Sequence, residues 1–270
     1  MRFSILAGLA LCLGAAPAAA QFNAYYAGTQ RVNGKDLPCS TQFSVDKGRV
    51  AVFLKGARSS RMLFTQKDGT LRVVDDATHT WFDLDRKQLA GMGSAMADMQ
   101  KQLVQMPAAQ REMAEGMLKG AMDGMRPPPP SVYVWSKDTL SVNGYPCTRV
   151  DVMQGDVKRA EYWGTTSADF KLGEAEHEAV LAMQGCLRDF TIMVTSVGAG
   201  GAESRPFQWD TSVDGYPLIS RCFDGDVMTL DVKLERFDRK PLANDLFQVP
   251  DGYTQQHLSG GNPKDHGKKH

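Results

Sequence analysis

The sequence predicts an α+β protein: one antiparallel, β-rich domain interrupted by a methionine-rich helical hairpin and a further long helix. Three observations predict it. Short runs of Val, Phe, Tyr, Trp and Leu alternate with Gly- and Asp-bearing turns in both halves of the chain. In the first half the connections are too short for parallel crossovers, so those strands should form a meander. Between the halves, Leu89, Met92, Met96, Met99, Leu103 and Met106 recur at helical spacing and draw one apolar stripe.

The first 20 residues read as an export signal. Arg2 gives the positive start, Ile5 to Gly14 the apolar run, and Ala18-Ala19-Ala20 the cleavage site, which makes Gln21 the new N-terminus. The apolar run is too short to span a bilayer, and no later stretch reaches the roughly 18 apolar residues a span requires. Leu11 ahead of Cys12 is too large for lipoprotein processing. The expected location is therefore the periplasm, with an extracellular location as the alternative. Residues 21–270 hold 30 basic and 31 acidic side chains. No basic surplus exists to neutralise phosphates, which argues against nucleic acid as a partner.

Strands are expected at Phe22–Ala27, Arg49–Lys55, Arg61–Gln66, Leu71–Asp75 and Thr80–Leu84, punctuated by Asp46-Lys47-Gly48, Lys55-Gly56 and Lys67-Asp68-Gly69. The hairpin follows over residues 86–126. Pro107 stops its first helix and can start the second, lined by Met113, Met117, Ala121 and Met125. Eight of the chain's 14 methionines fall between Leu89 and Met125. Pro127 to Pro130 end the hairpin in an extended conformation. Strands resume at Ser131–Trp135, Thr148–Met153 and Val157–Trp163. A helix over residues 174–197 carries an apolar stripe of Val180, Met183, Leu187, Phe190, Val194 and Val197. Strands at Pro217–Phe223 and Val227–Phe237 complete a domain of residues 21–256, and the polar tail 257–270 is expected to be disordered. Val142-Asn143-Gly144-Tyr145-Pro146 and Val213-Asp214-Gly215-Tyr216-Pro217 echo one another and read as two similar turns.

Cys39, Cys147, Cys186 and Cys222 remain after cleavage. An even number in an oxidising compartment implies two disulfides, with three pairings open, each contributing about 2–4 kcal/mol. Cys186 shares the broad apolar face of its helix, so that helix is expected to be tied to a strand. Zinc is disfavoured because the cysteines stand singly, without CxxC spacing.

Catalytic signatures fail on inspection. His177-Glu178 opens like a zinc-protease helix, but Leu181 stands where the second histidine belongs. Gly198-Ala199-Gly200 follows a helix and leads to Glu203, unlike a dinucleotide loop. The acidic pairs Asp83/Asp85 and Asp224/Asp226 lie at strand ends in turn-like sequence, where solvated carboxylates are ordinary. No enzyme, cofactor or metal site is expected. Met92, Met96 and Met99 could offer thioethers to Cu(I), yet the hairpin lacks histidine and cysteine, so packing is the reading and copper handling the weaker alternative.

The segments LKGARSSRML (Leu54–Leu63), VVDDATHTWFDLD (Val73–Asp85), MPAAQREM (Met106–Met113), VNGYPCTRVDV (Val142–Val152) and LFQVPDGY (Leu246–Tyr253) occur in an order that resembles an exported bacterial family catalogued as domain of unknown function 4412. That family is similar to the periplasmic lipoprotein carriers and their outer-membrane receptors (LolA/LolB-like). The resemblance implies a strongly curved antiparallel sheet, an unclosed half-barrel, with helices over its concave face. In the carriers that concavity accepts acyl chains.

The expected function is a non-catalytic binding module for an acyl chain or lipidated peptide, held between sheet and helices. Its apolar surface would comprise Leu89, Met92, Met96, Met99, Leu103, Met106, Met113 and Met117. The alternative is a structural or interaction module whose hairpin packs on a partner chain.

Overall fold

The computed structural model describes residues 21–57, 59–84, 107, 131–196 and 215–256, with side chains given to residue 188 in the helix. The predicted signal peptide, the tail and the hairpin, with all eight of its named residues, lie outside the described residues.

Twelve strands build one sheet: β1 (Gln21–Val32), β2 (Lys35–Asp46), β3 (Arg49–Lys55), β4 (Ser60–Thr65), β5 (Thr70–Asp75), β6 (Thr80–Leu84), β7 (Ser131–Val142), β8 (Tyr145–Gln154), β9 (Val157–Thr165), β10 (Tyr216–Asp224), β11 (Val227–Asp238) and β12 (Thr254–Gln255). Their order is β12-β6-β5-β4-β3-β2-β1-β11-β10-β9-β8-β7. Two antiparallel meanders, β1–β6 and β7–β11, are thus joined edge to edge where β1 pairs with β11. The ladder does not close, and β7 and β12 are its ends. A single α-helix, α1 (Glu174–Ser196), is found among the described residues, together with a 3₁₀ turn at Asn244–Phe247.

Two features depart from the expected meander. β2 was not predicted, because Pro38 and a polar Cys-Ser-Thr-Gln run mask its alternation; it forms because the Asn33-Gly34 turn, with φ of 51° and 75°, folds it back along the whole of β1. β12 pairs parallel to β6, with Thr254 N–H donating to His79 O at 2.9 Å and Gln256 N–H to Trp81 O at 2.7 Å.

Period-2 alternation sorts the first meander's side chains into faces. On the inner face the register aligns Phe22, Val45, Val50, Phe64, Leu71 and Leu84 in one row across six strands, each buried. Burying a side chain of this kind contributes roughly 1.5–3 kcal/mol. Helix α1, inserted between strands of the second meander, lies against β2, β3, β4 and β5 of the first. Ala179, Val180, Met183 and Cys186 of α1 are buried in the same core as that row, which matches the predicted stripe at Val180 and Met183. The helix start is pinned: Gly173 N–H donates to Glu176 Oε2 at 2.8 Å in a capping arrangement, and Arg239 grips the buried Glu176 carboxylate at 2.6 and 3.1 Å.

The outer face of β3–β5 is covered from the C-terminal side. Phe247, Val249 and Tyr253 pack on Ala51, Leu63 and Val74, and Tyr253 OH donates to Asp76 Oδ1 at 2.9 Å beside the Arg61–Asp76 ion pair. Three of the segments that carry the family resemblance therefore meet at one clamp.

At Gly28 the two meanders leave no room for a side chain. A Cβ there would lie 1.8 Å from Asp231 O, so the β1–β11 seam requires glycine at this place.

Candidate apolar binding face

Two rows of side chains cross the seam into the second meander. The register carries one from Gly28 through Val232, Ser220 and Tyr162 to Val150, and the other from Leu230 through Cys222 and Ala160 to Val152. Val152, Ala160 and Tyr162 are buried and form a second cluster with Tyr133 and Cys222. This cluster contains only sheet residues from β7 to β10, whereas the first core is the one that includes α1.

Neighbouring side chains on the same strands face the other way and are charged. Arg149 pairs with Asp138 at 2.7 Å, Lys158 with Asp151 at 2.8 Å and Glu161 at 2.6 Å, and Arg221 with Glu161 at 2.9 Å and Asp231 at 3.3 Å. This ladder crosses β7 to β11 on the face opposite Val150, Val152 and Tyr162. Burial pushes the Glu161 carboxyl up, but hydrogen bonds from Lys158, Trp163 Nε1 (3.0 Å) and Arg221 outweigh it and hold the group down at about 2. One meander thus has an ionic face and an apolar one.

Two polar groups of the strip are held in their protonated form. Burial pushes the Cys222 thiol up to about 11 and raises the Tyr162 phenol well above its ordinary value. Both stay protonated, and the strip presents hydrocarbon, a phenol and a thiol.

No disulfide joins any of the four cysteines. Cys39 is on β2, Cys147 on β8, Cys186 on α1 and Cys222 on β10. Cys39 and Cys222 are separated by β1 and β11, about 14 Å of sheet at ordinary strand spacing, beyond the reach of an S–S bond. Cys147 and Cys186 both enter the main core, where the Cys147 thiol donates to Tyr145 O at 3.5 Å. The expected two-disulfide frame is accordingly absent from this structure.

Tyr133, Val150, Val152, Ala160 and Tyr162 were not singled out in the sequence. The signal was present: Val150 and Val152 alternate with Arg149 and Asp151, and Ala160 and Tyr162 flank Glu161. Alternation shows that two faces differ, but not which of them is enclosed. Among the described residues no three His, Cys, Asp or Glu side chains converge as metal ligands, and no helix is long and apolar enough to cross a membrane.

No family model matches the chain, and no curated protein matches it. Several solved structures align over most of its length. An uncharacterised conserved protein from Thermus thermophilus is 8% identical, with 88% of this chain and 90% of that one covered and a TM-score of 0.42. PNGF-II is 11% identical over 88% of this chain and 31% of its own, with a TM-score of 0.40. MucB is 12% identical over 86% of this chain and 58% of its own, with a TM-score of 0.33.

Proposed function

We propose that the protein is a non-catalytic periplasmic binding module that holds an apolar ligand, an acyl chain or a lipidated peptide, against the apolar face of β7–β10. The observation that carries this reading is the apolar strip of Tyr133, Val152, Ala160, Tyr162 and Cys222 on one face of an unclosed sheet. The methionine stripe predicted at Leu89 to Met117 is the chain's own candidate for the opposite wall. The LolA-like half-barrel, with helices over a concave sheet, belongs to the same proposal. Methionine and the strip's side chains present soft, polarisable surface that accommodates hydrocarbon without fixed geometry.

Native mass spectrometry of the protein recovered from the compartment where it is made tests this. The expected result is a second species heavier by one acyl-bearing ligand, lost on delipidation and depleted in Val152→Lys. Recovery of the bare chain mass alone, from the wild type in lipid-replete cells, overturns it. A structural or protein-interaction module is the second reading, favoured by Trp135, 54% exposed on the end strand β7. It predicts the bare mass together with a co-purifying protein.

A further inference from the structure

The large apolar side chains left exposed among the described residues are confined to one part of the molecule. They are Val132, Val134 and Trp135 on β7, Val157 at the start of β9, and Val227 and Met228 at the start of β11, each between 40% and 56% exposed. None lies on β1–β6. Strand direction brings five of them to one end. The start of β7, the β8–β9 turn and the β10–β11 turn are neighbours, since Ser131 pairs with Gln154, Gln154 with Val157, and Asp224 with Val227. Half-exposed Met153 and Phe223 sit between them in the register. The result is an apolar rim crossing five consecutive strands, about 19 Å at ordinary strand spacing.

Two turns at the same end of the first meander are polar: Asn33-Gly34 between β1 and β2, and Asp76-Ala77-Thr78-His79 between β5 and β6. Isolated surface valines need no explanation, but a row with one from nearly every strand does.

Charge around the rim narrows what it meets. Asp156 and Asp226 stand exposed in the two turns. Lys158 is held by Asp151 and Glu161, and Arg159 pairs at the rim itself with Asp224 at 3.5 Å, so Asp156 and Asp226 are the rim carboxylates without an ion pair among the described residues. A groove at the β11 end of the rim is lined by Val227, Met228, Leu230 and Asp226, together with Asp36 and Asp231, whose partners are Arg31 at 3.7 Å in the groove and Arg221 at 3.3 Å. An anionic lipid surface would be repelled by these carboxylates, while lysine or arginine on an apolar stem complements both features.

We infer that the β7–β11 rim docks a basic, apolar segment of a partner protein. This docking is independent of whether a ligand occupies the apolar face of β7–β10.

Fluorescence anisotropy with a labelled synthetic peptide alternating leucine and lysine tests the inference on the mature chain. The expected result is saturable binding, weaker by about tenfold or more for the same peptide with glutamate in place of lysine, and salt-sensitive. Val227→Ser with Met228→Ser, and separately Asp156→Lys with Asp226→Lys, should each weaken the lysine peptide by about tenfold, and the second pair should improve the glutamate peptide. These positions are solvent-exposed, so unchanged thermal melts confirm folded variants. Equal binding of both peptides, binding indifferent to the two variants, or no binding each overturns the inference. So does co-sedimentation with phosphatidylethanolamine–phosphatidylglycerol vesicles that Val227→Ser with Met228→Ser abolishes, since the rim would then be a membrane contact.

Discussion

Asn143 Nδ2 donates to Leu234 O at 2.8 Å, although Asn143 is in the β7–β8 turn and Leu234 on β11, with β9 and β10 between them in the sheet. In a flat sheet the two would stand about 14–19 Å apart. The contact is possible only because this end of the second meander curls over its own inner face. Tyr145, next in the turn, brings its ring within 5.0 Å of Phe170 and 6.4 Å of Phe237 on the same side.

Replacing Asn143 tests the curl. Its φ of 52° suits Asn or Gly, so Asn143→Gly preserves the turn and removes only the side-chain bond. Asn143→Asp instead sets a carboxylate against the Leu234 and Glu235 carbonyls. Chemical denaturation should show a loss of about 1 kcal/mol for Gly and clearly more for Asp. Equal stability of both with the wild type would mean that the contact holds nothing.

The Arg239–Glu176 pair fixes the entry of α1 onto the core. Glu176 is 1% exposed, so Arg239→Met strands a buried carboxylate. The exposure of Arg239 by about a third moderates the cost to roughly 2–3 kcal/mol. The double variant Glu176→Met with Arg239→Met should recover part of this, because no uncompensated charge is then buried. Denaturation midpoints of the three variants decide it, and strict additivity would contradict the pairing.

Glu161 makes stability depend on acid. Its carboxyl falls from an ordinary 4.5 to about 2 in the folded chain. A depressed carboxyl contributes stability that is present above pH 4.5 and lost as pH falls through about 2. The wild type should therefore lose a component on the order of 2–3 kcal/mol between pH 5 and pH 2. Glu161→Gln should be less stable at pH 7 and flatter over that window, measured by urea midpoints at each pH.

Cys222 should resist alkylation. With the thiol at about 11, its thiolate fraction at pH 8 is about a hundredfold below that of an ordinary cysteine. Iodoacetamide labelling followed by peptide mass mapping should show Cys222 modified slowly in the native protein and rapidly in urea. Rapid native labelling would place it outside the apolar strip.

Much of this architecture was legible in the sequence because it is local. Hairpin turns such as Asp46-Lys47-Gly48 and Asn143-Gly144, and alternation such as that of Arg49–Lys55, are set within a few residues. The candidate strip was less legible. Tyr162 and Glu161 differ by one step along β9, and only the sheet's curl decides that the first is enclosed and the second faces the ion ladder.

By itself, the sequence determined the β-rich composition, the meander connections, the stripe of α1 at Val180 and Met183, and the absence of a familiar catalytic motif. Tertiary structure alone decided that β1 joins β11 across Gly28, that α1 crosses to the other meander, and that residues 244–255 return to seal β3–β6. It also left the cysteines without disulfides. The reason is physical: turns and alternation are fixed by neighbouring dihedral angles, whereas edge pairing and helix docking depend on which distant apolar faces must be covered together.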